Sequence, residues 1–304
     1  MDEWIPSAEK IGNSVDARLH FAQTQYKSGL YDQARAEIGT ILSMDPRNAE
    51  ARLLLAKIHF DRAEYADAER IAREALDLDP RLAKAWLLLA ATAYELDRVP
   101  DAVAAAQKAV ESDPEIPATH MMYGNMSCEA GDLDTARIAF EKAIAINPRT
   151  PMAYRQLGRI HAEQGRPDAA LAALVKSLQM EPTSTHAHMR LGELYRSLGR
   201  LEEALKEYRE IQRLNPNADD ACFKAGEVYR ALNRPLEAEF EYKRALQLRA
   251  NNARAMSGLG LLHLAQGHPA PAAEYFRSAL KIEPALKEAQ DGLARAEAMS
   301  AASP

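Results

Sequence analysis

Two arginines, Arg155 and Arg159, stand four residues apart in the stretch PMAYRQLGR, so a helix would put them on one face. Like charges in that arrangement cost about 0.2–0.5 kcal/mol unless an acid meets them. Guanidinium forks suit carboxylates well. Arg190, Arg196, Lys224 and Arg230 follow further along. The chemistry these residues offer is capture of an anionic group. Glu163, Glu193 and Glu227 can neutralise part of the set internally, and at least two arginines are expected to stay free for an acidic ligand.

Other reactive types lead nowhere catalytic. His186 and His188 are two apart, and such residues on a helix point in different directions, which is wrong for a metal pair. Cys128 and Cys222 match no metal or disulfide spacing and have no activating neighbour, which fits a reducing compartment. The stretch SGLGLLH holds Gly258 and Gly260, but His263 replaces the third glycine of a dinucleotide loop. Asn125-Met126-Ser127 matches a glycosylation acceptor inside a predicted helix. No phosphate-binding loop and no His-Glu-x-x-His motif occurs. No catalytic residue, metal ligand or cofactor is expected.

Composition narrows the class. Of 304 residues, 47% are hydrophobic and 27% charged, with alanine dominant and few aromatics, which favours helix. The net charge of −6 argues against nucleic-acid binding, which needs a clustered basic excess. No run of about 18 apolar residues is available to span a bilayer, and no signal peptide is legible. A cytoplasmic protein without direct membrane insertion is expected. Removal of a leader or anchor would instead make it periplasmic or membrane-associated.

The elements that must position these residues are set by a beat. Pro46, Pro80, Pro114, Pro148, Pro182, Pro216 and Pro284 are 34 residues apart or twice 34, the missing one falling on Ala250. Placing each proline at position 32 of a unit gives eight units, 15–48, 49–82, 83–116, 117–150, 151–184, 185–218, 219–252 and 253–286. Position 8 is always Ala or Gly, and position 20 is always Ala, from Ala34 to Ala272. Two small residues on facing helices let the backbones approach, so these columns mark a helix crossing. Position 15 is Gly in five units and Asn233 in a sixth, which predicts a left-handed turn between the two helices. Positions 7 and 24 carry large residues such as Leu157, Phe140, Tyr208 and Phe276. His59, His161 and His263 share position 11, a packing column. Pro148 ends one helix and Pro151 opens the next, where its fixed φ helps. Residues 1–14 form an extension in which Trp4 and Ile5 could cover the first unit or a neighbour's surface. Residues 287–304 hold a polar-backed capping helix, with Leu293 and Ala294 in phase with the first helices, and a tail.

These columns resemble the tetratricopeptide repeat family. The family's Trp at position 4 survives only as Trp86. The resemblance implies an all-α solenoid, a right-handed superhelix of antiparallel helix pairs whose first helices line a concave groove. It also implies a non-enzymatic scaffold that binds a protein or peptide. On the groove positions it places Leu19, Tyr26, Leu53, Lys57, Phe60, Leu87, Tyr94, Met121 and Asn125 in the first four units. Arg155, Gln156, Arg159, Met189, Arg190, Arg196, Phe223 and Arg230 follow in the next three. The expected partner therefore carries an apolar and an acidic segment. The aromatics at position 12 (Tyr26, Phe60, Tyr94) are either groove surface or core between helices. A family subset clamps chaperone C-terminal carboxylates, and its pattern falls here on Met121, Asn125, Gln156, His186 and Arg190, with the first lysine lost. Rival readings are a self-associating assembly protein, which leaves homo-oligomers open, and a substrate-recruiting module for a separate transferase or kinase.

Overall fold

Proline cannot donate the next helical hydrogen bond, so each proline of the beat forces a corner. In the computed structural model the corner is built the same way again and again. The side chain before the proline folds over the turn and accepts a backbone N–H two residues on: Asp45 from Arg47 at 3.1 Å, Asp79 from Arg81 at 3.0 Å and Asn147 from Arg149 at 3.0 Å. A new helix then begins within a few residues.

The structure describes residues 14–301, which form seventeen helices and fall into two compact units parting between Ala153 and Tyr154. The expected extension, with Trp4 and Ile5, and the last three residues lie outside the described residues. In chain order the helices are α1 Val15–Lys27, α2 Tyr31–Met44, α3 Ala49–Asp61, α4 Tyr65–Leu78, α5 Ala83–Glu95, α6 Val99–Ser112, α7 Pro117–Glu129, α8 Leu133–Ile146 and α9 Pro151–Glu163. They continue as α10 Pro167–Met180, α11 Thr185–Ser197, α12 Leu201–Leu214, α13 Asp219–Ala231, α14 Pro235–Leu248, α15 Ala253–Ala265, α16 Pro269–Ile282 and α17 Lys287–Ala301. The described chain is all-α, a succession of antiparallel pairs, and no helix in it is long and apolar enough to cross a membrane.

Inside each pair the small columns do what their size allows. All eight alanines at position 20 are fully buried. Where position 8 is glycine, the space a Cβ would fill is occupied by the large residue at position 24. A Cβ on Gly124 would lie 2.8 Å from Phe140, on Gly192 2.6 Å from Tyr208, and on Gly260 2.7 Å from Phe276. Gly258 is the same device between repeats, its Cβ position 2.6 Å from the Tyr242 ring, and Gly292 of α17 repeats it against Phe276. Ala294, in phase with the crossing column, is exposed, with no second helix packed on α17 in the manner of the earlier pairs among the described residues. Position 15 is left-handed at all five glycines and at Asn233, and also at Ala63 and Asp97, where composition gave no sign of it.

Four different residues at the variable position 4 make the same bond. Trp86 Nε1 donates to the Pro80 carbonyl at 3.0 Å, Gln290 Nε2 to Pro284 at 2.8 Å, and the rings of His120 and His188 reach Pro114 and Pro182 at 2.9 Å. Each ties the start of a helix to the corner six residues back.

Neighbouring repeats join mainly where the second helix of one packs on the first helix of the next, as α4 does on α5, α6 on α7 and α12 on α13, and first helices meet as well. In the first unit α1 packs on α3, α3 on α5 and α5 on α7; in the second, α13 packs on α15 and α15 on α17. First helices thus share one face in each unit.

Candidate functional site

In the first unit that face is aromatic and largely spoken for. Tyr26 leans on Tyr31 with ring centroids 5.9 Å apart, and Phe60 meets Tyr65 edge-on at 5.5 Å. The Tyr31 and Tyr65 hydroxyls then donate to Asp61 and Glu95 of the following repeat, each at 3.3 Å. Burial, then Asp61, pushes the Tyr26 phenol far above its ordinary range. Position 12 is therefore chiefly a joint between the helices of one repeat, and of the three aromatics only Tyr94 is exposed. Leu19 and Leu53, expected on the groove wall, are 8% and 4% exposed and pack chiefly as core, Leu53 also showing an edge to the cleft between α1 and α3. Leu87, Met121 and Asn125 are half-buried. Lys57 is half-buried too, in a cleft of about 250 Å³ that also takes in Tyr26, Lys27 and Lys84. The spacing alone gave no sign that these three lysines converge.

In the second unit the same face is charged. Arg159 pairs with Glu163 at 2.9 Å and Arg190 with Glu193 at 3.3 Å. Lys224 lies between Glu193 at 3.9 Å and Glu227 at 3.8 Å, and Arg230 is 4.0 Å from Glu288 of α17. Arg155 and Arg196 have no ion pair among the described residues. Between α9 and α11 opens a cleft of about 180 Å³ lined by Gly158, Arg159, Ala162, Arg190, Glu193 and Leu194. Its depth comes from Ala162 at the position where Tyr26 and Phe60 stand in the first unit. Gln156 and Met189 are half-buried beside it. Phe223 is a correction: at 7% exposure, its ring 6.0 Å from Tyr242, it belongs to the core. Arg230 is near the Tyr242 hydroxyl, and its charge opposes the burial that pushes that phenol up to about 12.

No catalytic group emerges among the described residues. Both nitrogens of His188 face oxygens, Nδ1 the Glu207 carboxylate at 2.6 Å and Nε2 the Pro182 carbonyl, which leaves no metal position. Among the described residues no three His, Cys, Asp or Glu side chains converge as a metal site. Burial pushes the Cys222 thiol up to about 11, the wrong direction for a nucleophile. His59 and His263 are packing residues, one 2.5 Å from Glu64 and the other stacked on Tyr275.

A scan against family models matches the tetratricopeptide repeat over residues 19–83, 55–117, 87–151, 128–184, 155–219 and 223–287. A search of curated proteins found none that matches. Among solved structures, a chain of the APC/C hetero-tetramer Cut9–Hcn1 is similar at 21% identity and TM-score 0.63, over 95% of this chain and 57% of that one. This chain thus spans little more than half of that relative's length. The type IV pilus biogenesis factor PilW is similar at 18% identity and TM-score 0.63, over 70% of this chain and 98% of its own. PilF of Pseudomonas aeruginosa is similar at 20% identity and TM-score 0.60, over 70% and 96%. At these identities the likeness is one of fold.

Proposed function

Because the chain belongs to the tetratricopeptide repeat family, we propose that it is a non-enzymatic scaffold that holds a partner polypeptide against the first-helix faces of its units. The second unit takes an acidic segment. The observation that carries this reading is that Arg155 and Arg196, on the two first helices α9 and α11 that flank the cleft, have no ion pair among the described residues, Arg196 meeting only the Tyr208 hydroxyl. The small and apolar floor of the cleft suits a short apolar side chain, its rim holds Arg159 and Arg190 already paired with Glu163 and Glu193, and Arg155 and Arg196 outside it are left to meet a carboxylate. The first unit takes a more apolar segment along Tyr94, Leu87 and Met121. Stacked repeats hold these side chains in place beforehand, which lowers the entropy cost of binding.

Affinity purification with the wild type and with Arg155→Glu/Arg196→Glu tests the reading. Partners of the wild type should be lost from the variant, and those retained should bind more weakly as salt rises. Identical partner sets in the two samples overturn it. A second reading, self-association, is favoured by Leu236 and Phe240, which are 76% and 64% exposed and four apart on α14. Light scattering over a concentration series separates the two, since a Leu236→Glu/Phe240→Glu variant would dissociate only a self-associated protein.

A further inference from the structure

The cleft between α1 and α3 gathers more positive charge than its surroundings neutralise. Lys57 lies against Leu53, Leu54 and Tyr26, with Lys27 and Lys84 at the rim and Glu50 the single carboxylate of the lining. None of the three lysines has an ion pair among the described residues. Burial, and then the charge of Lys84, pulls the Lys57 ammonium below its ordinary range, while Asp61 and Glu50 oppose the shift. An apolar floor beside surplus ammonium groups calls for an occupant with a large apolar side chain directly next to carboxylates.

The chain carries such a sequence in MDEWIP, where Asp2 and Glu3 precede Trp4 and Ile5. We propose that residues 2–5 dock in this cleft of their own chain, with the acids towards Lys57 and Lys84 and Trp4 on the apolar floor. The tether allows it. The eight residues 6–13 span up to about 26–29 Å when extended. The path back along the thirteen residues of α1 is about 20 Å. A tether this short holds the segment at an effective concentration of about millimolar, enough to occupy a cleft of modest affinity. This inference does not rest on the acidic-partner reading of the second unit.

Tryptophan fluorescence of the full chain tests it without any partner. The chain has two tryptophans, Trp4 and Trp86, so the difference between wild type and Trp4→Ala isolates Trp4 and leaves the Trp86 bond to Pro80 untouched. Trp4 should emit at short wavelength, resist acrylamide quenching, and do so equally at every protein concentration. Lys57→Glu/Lys84→Glu should expose it to the quencher, as should the milder Asp2→Asn/Glu3→Gln, with the helical circular dichroism unchanged. Trp4 as open to quencher as free tryptophan in the wild type would overturn the proposal, and so would shielding indifferent to both pairs of substitutions. Shielding that fades on dilution would also overturn it, because the occupant of the cleft would then be a second copy.

Discussion

The two units solve the same crossing in different ways. In the first, three of four repeats set alanine at position 8 against a modest partner at position 24: Ala22 with Ile38, Ala56 with Ala72, Ala90 with Ala106. All of these are buried. In the second, every repeat sets glycine beneath a large side chain: Gly158 under Leu174, Gly192 under Tyr208, Gly226 under Tyr242 and Gly260 under Phe276. Gly124 with Phe140 brings the second solution into the last repeat of the first unit. What repeats down the chain is thus a complementarity between two positions, a large side chain at position 24 wherever position 8 is glycine, and neither column alone reveals it. The alanine solution leaves the rest of the core to long aliphatics on the first helix, such as Ile58, Leu54 and Leu88. The ring solution puts the bulk on the second helix.

Breaking the second solution should have the largest effect. Tyr242 is fully buried and fills the space above both Gly226 and Gly258, so Tyr242→Ala should cost about 3–5 kcal/mol in denaturant unfolding. Gly226→Ala alone should cost about 1–3 kcal/mol, because its Cβ would stand 2.7 Å from the ring even though alanine is the better helix former. The double variant recreates the alanine-on-alanine pairing of Ala56 and Ala72, so there Gly226→Ala should be neutral or helpful. If the two costs simply add, the paired-volume account is wrong.

The turn column separates the units again, with a smaller effect. The second unit uses only Gly165, Gly199, Asn233 and Gly267 at its left-handed turns, whereas the first holds Ala63 at φ 58° and Asp97 at φ 57°. A Cβ is strained in that conformation, so Ala63→Gly should stabilise by about 0.5–1 kcal/mol. Gly165→Ala should destabilise by a similar amount. Nothing lies within 4 Å of the Gly165 Cβ position, which leaves backbone strain as the only cause. Thermal melts of the two variants moving in opposite directions would bear this out.

These contrasts also mark how far residue types can be read. The corner prolines, the buried alanines of position 20 and the glycine turns were legible because each has one physical job that few residues perform. Position 4 looked loose because one of its jobs, an N–H aimed at the proline carbonyl, is shared by the indole of Trp86, the imidazoles of His120 and His188 and the amide of Gln290, while Arg18 and Arg52 turn instead to Glu37 and Glu74. Leu19, Leu53 and Phe223 were misplaced for a different reason. Their column points along the seam between adjacent first helices, and whether it is wall or core depends on how closely those helices pack. The basic face was legible in outline. Its split into paired Arg159, Arg190 and Lys224 and uncompensated Arg155 and Arg196 needed side-chain geometry.

The smallest contrast concerns two glutamates whose proton affinities move in opposite directions. In the first unit Glu69 accepts hydrogen bonds from Arg73, at 2.7 Å, and from Arg98, and these hold its carboxyl below the ordinary range. In the second unit burial raises Glu241 above that range, against the opposing hydrogen bond from Gln212 at 2.9 Å. The folded state therefore binds a proton less readily than the unfolded chain at Glu69 and more readily at Glu241. The contribution of Glu69 is present above the unfolded carboxylate value and is lost as pH falls through the folded one. The relative benefit at Glu241 is present below the unfolded value and is lost as pH rises through the folded one. Glu69→Gln should thus lower the melting temperature at pH 7 and leave it unchanged well below pH 4. Glu241→Gln keeps an acceptor for Gln212 while removing a buried charge, so it should raise the melting temperature at pH 7 and change nothing in acid. In the double variant the two shifts, being far apart, should add with opposite signs. A shift of the same sign in both would show that the surroundings of these carboxylates do not differ as their partners imply.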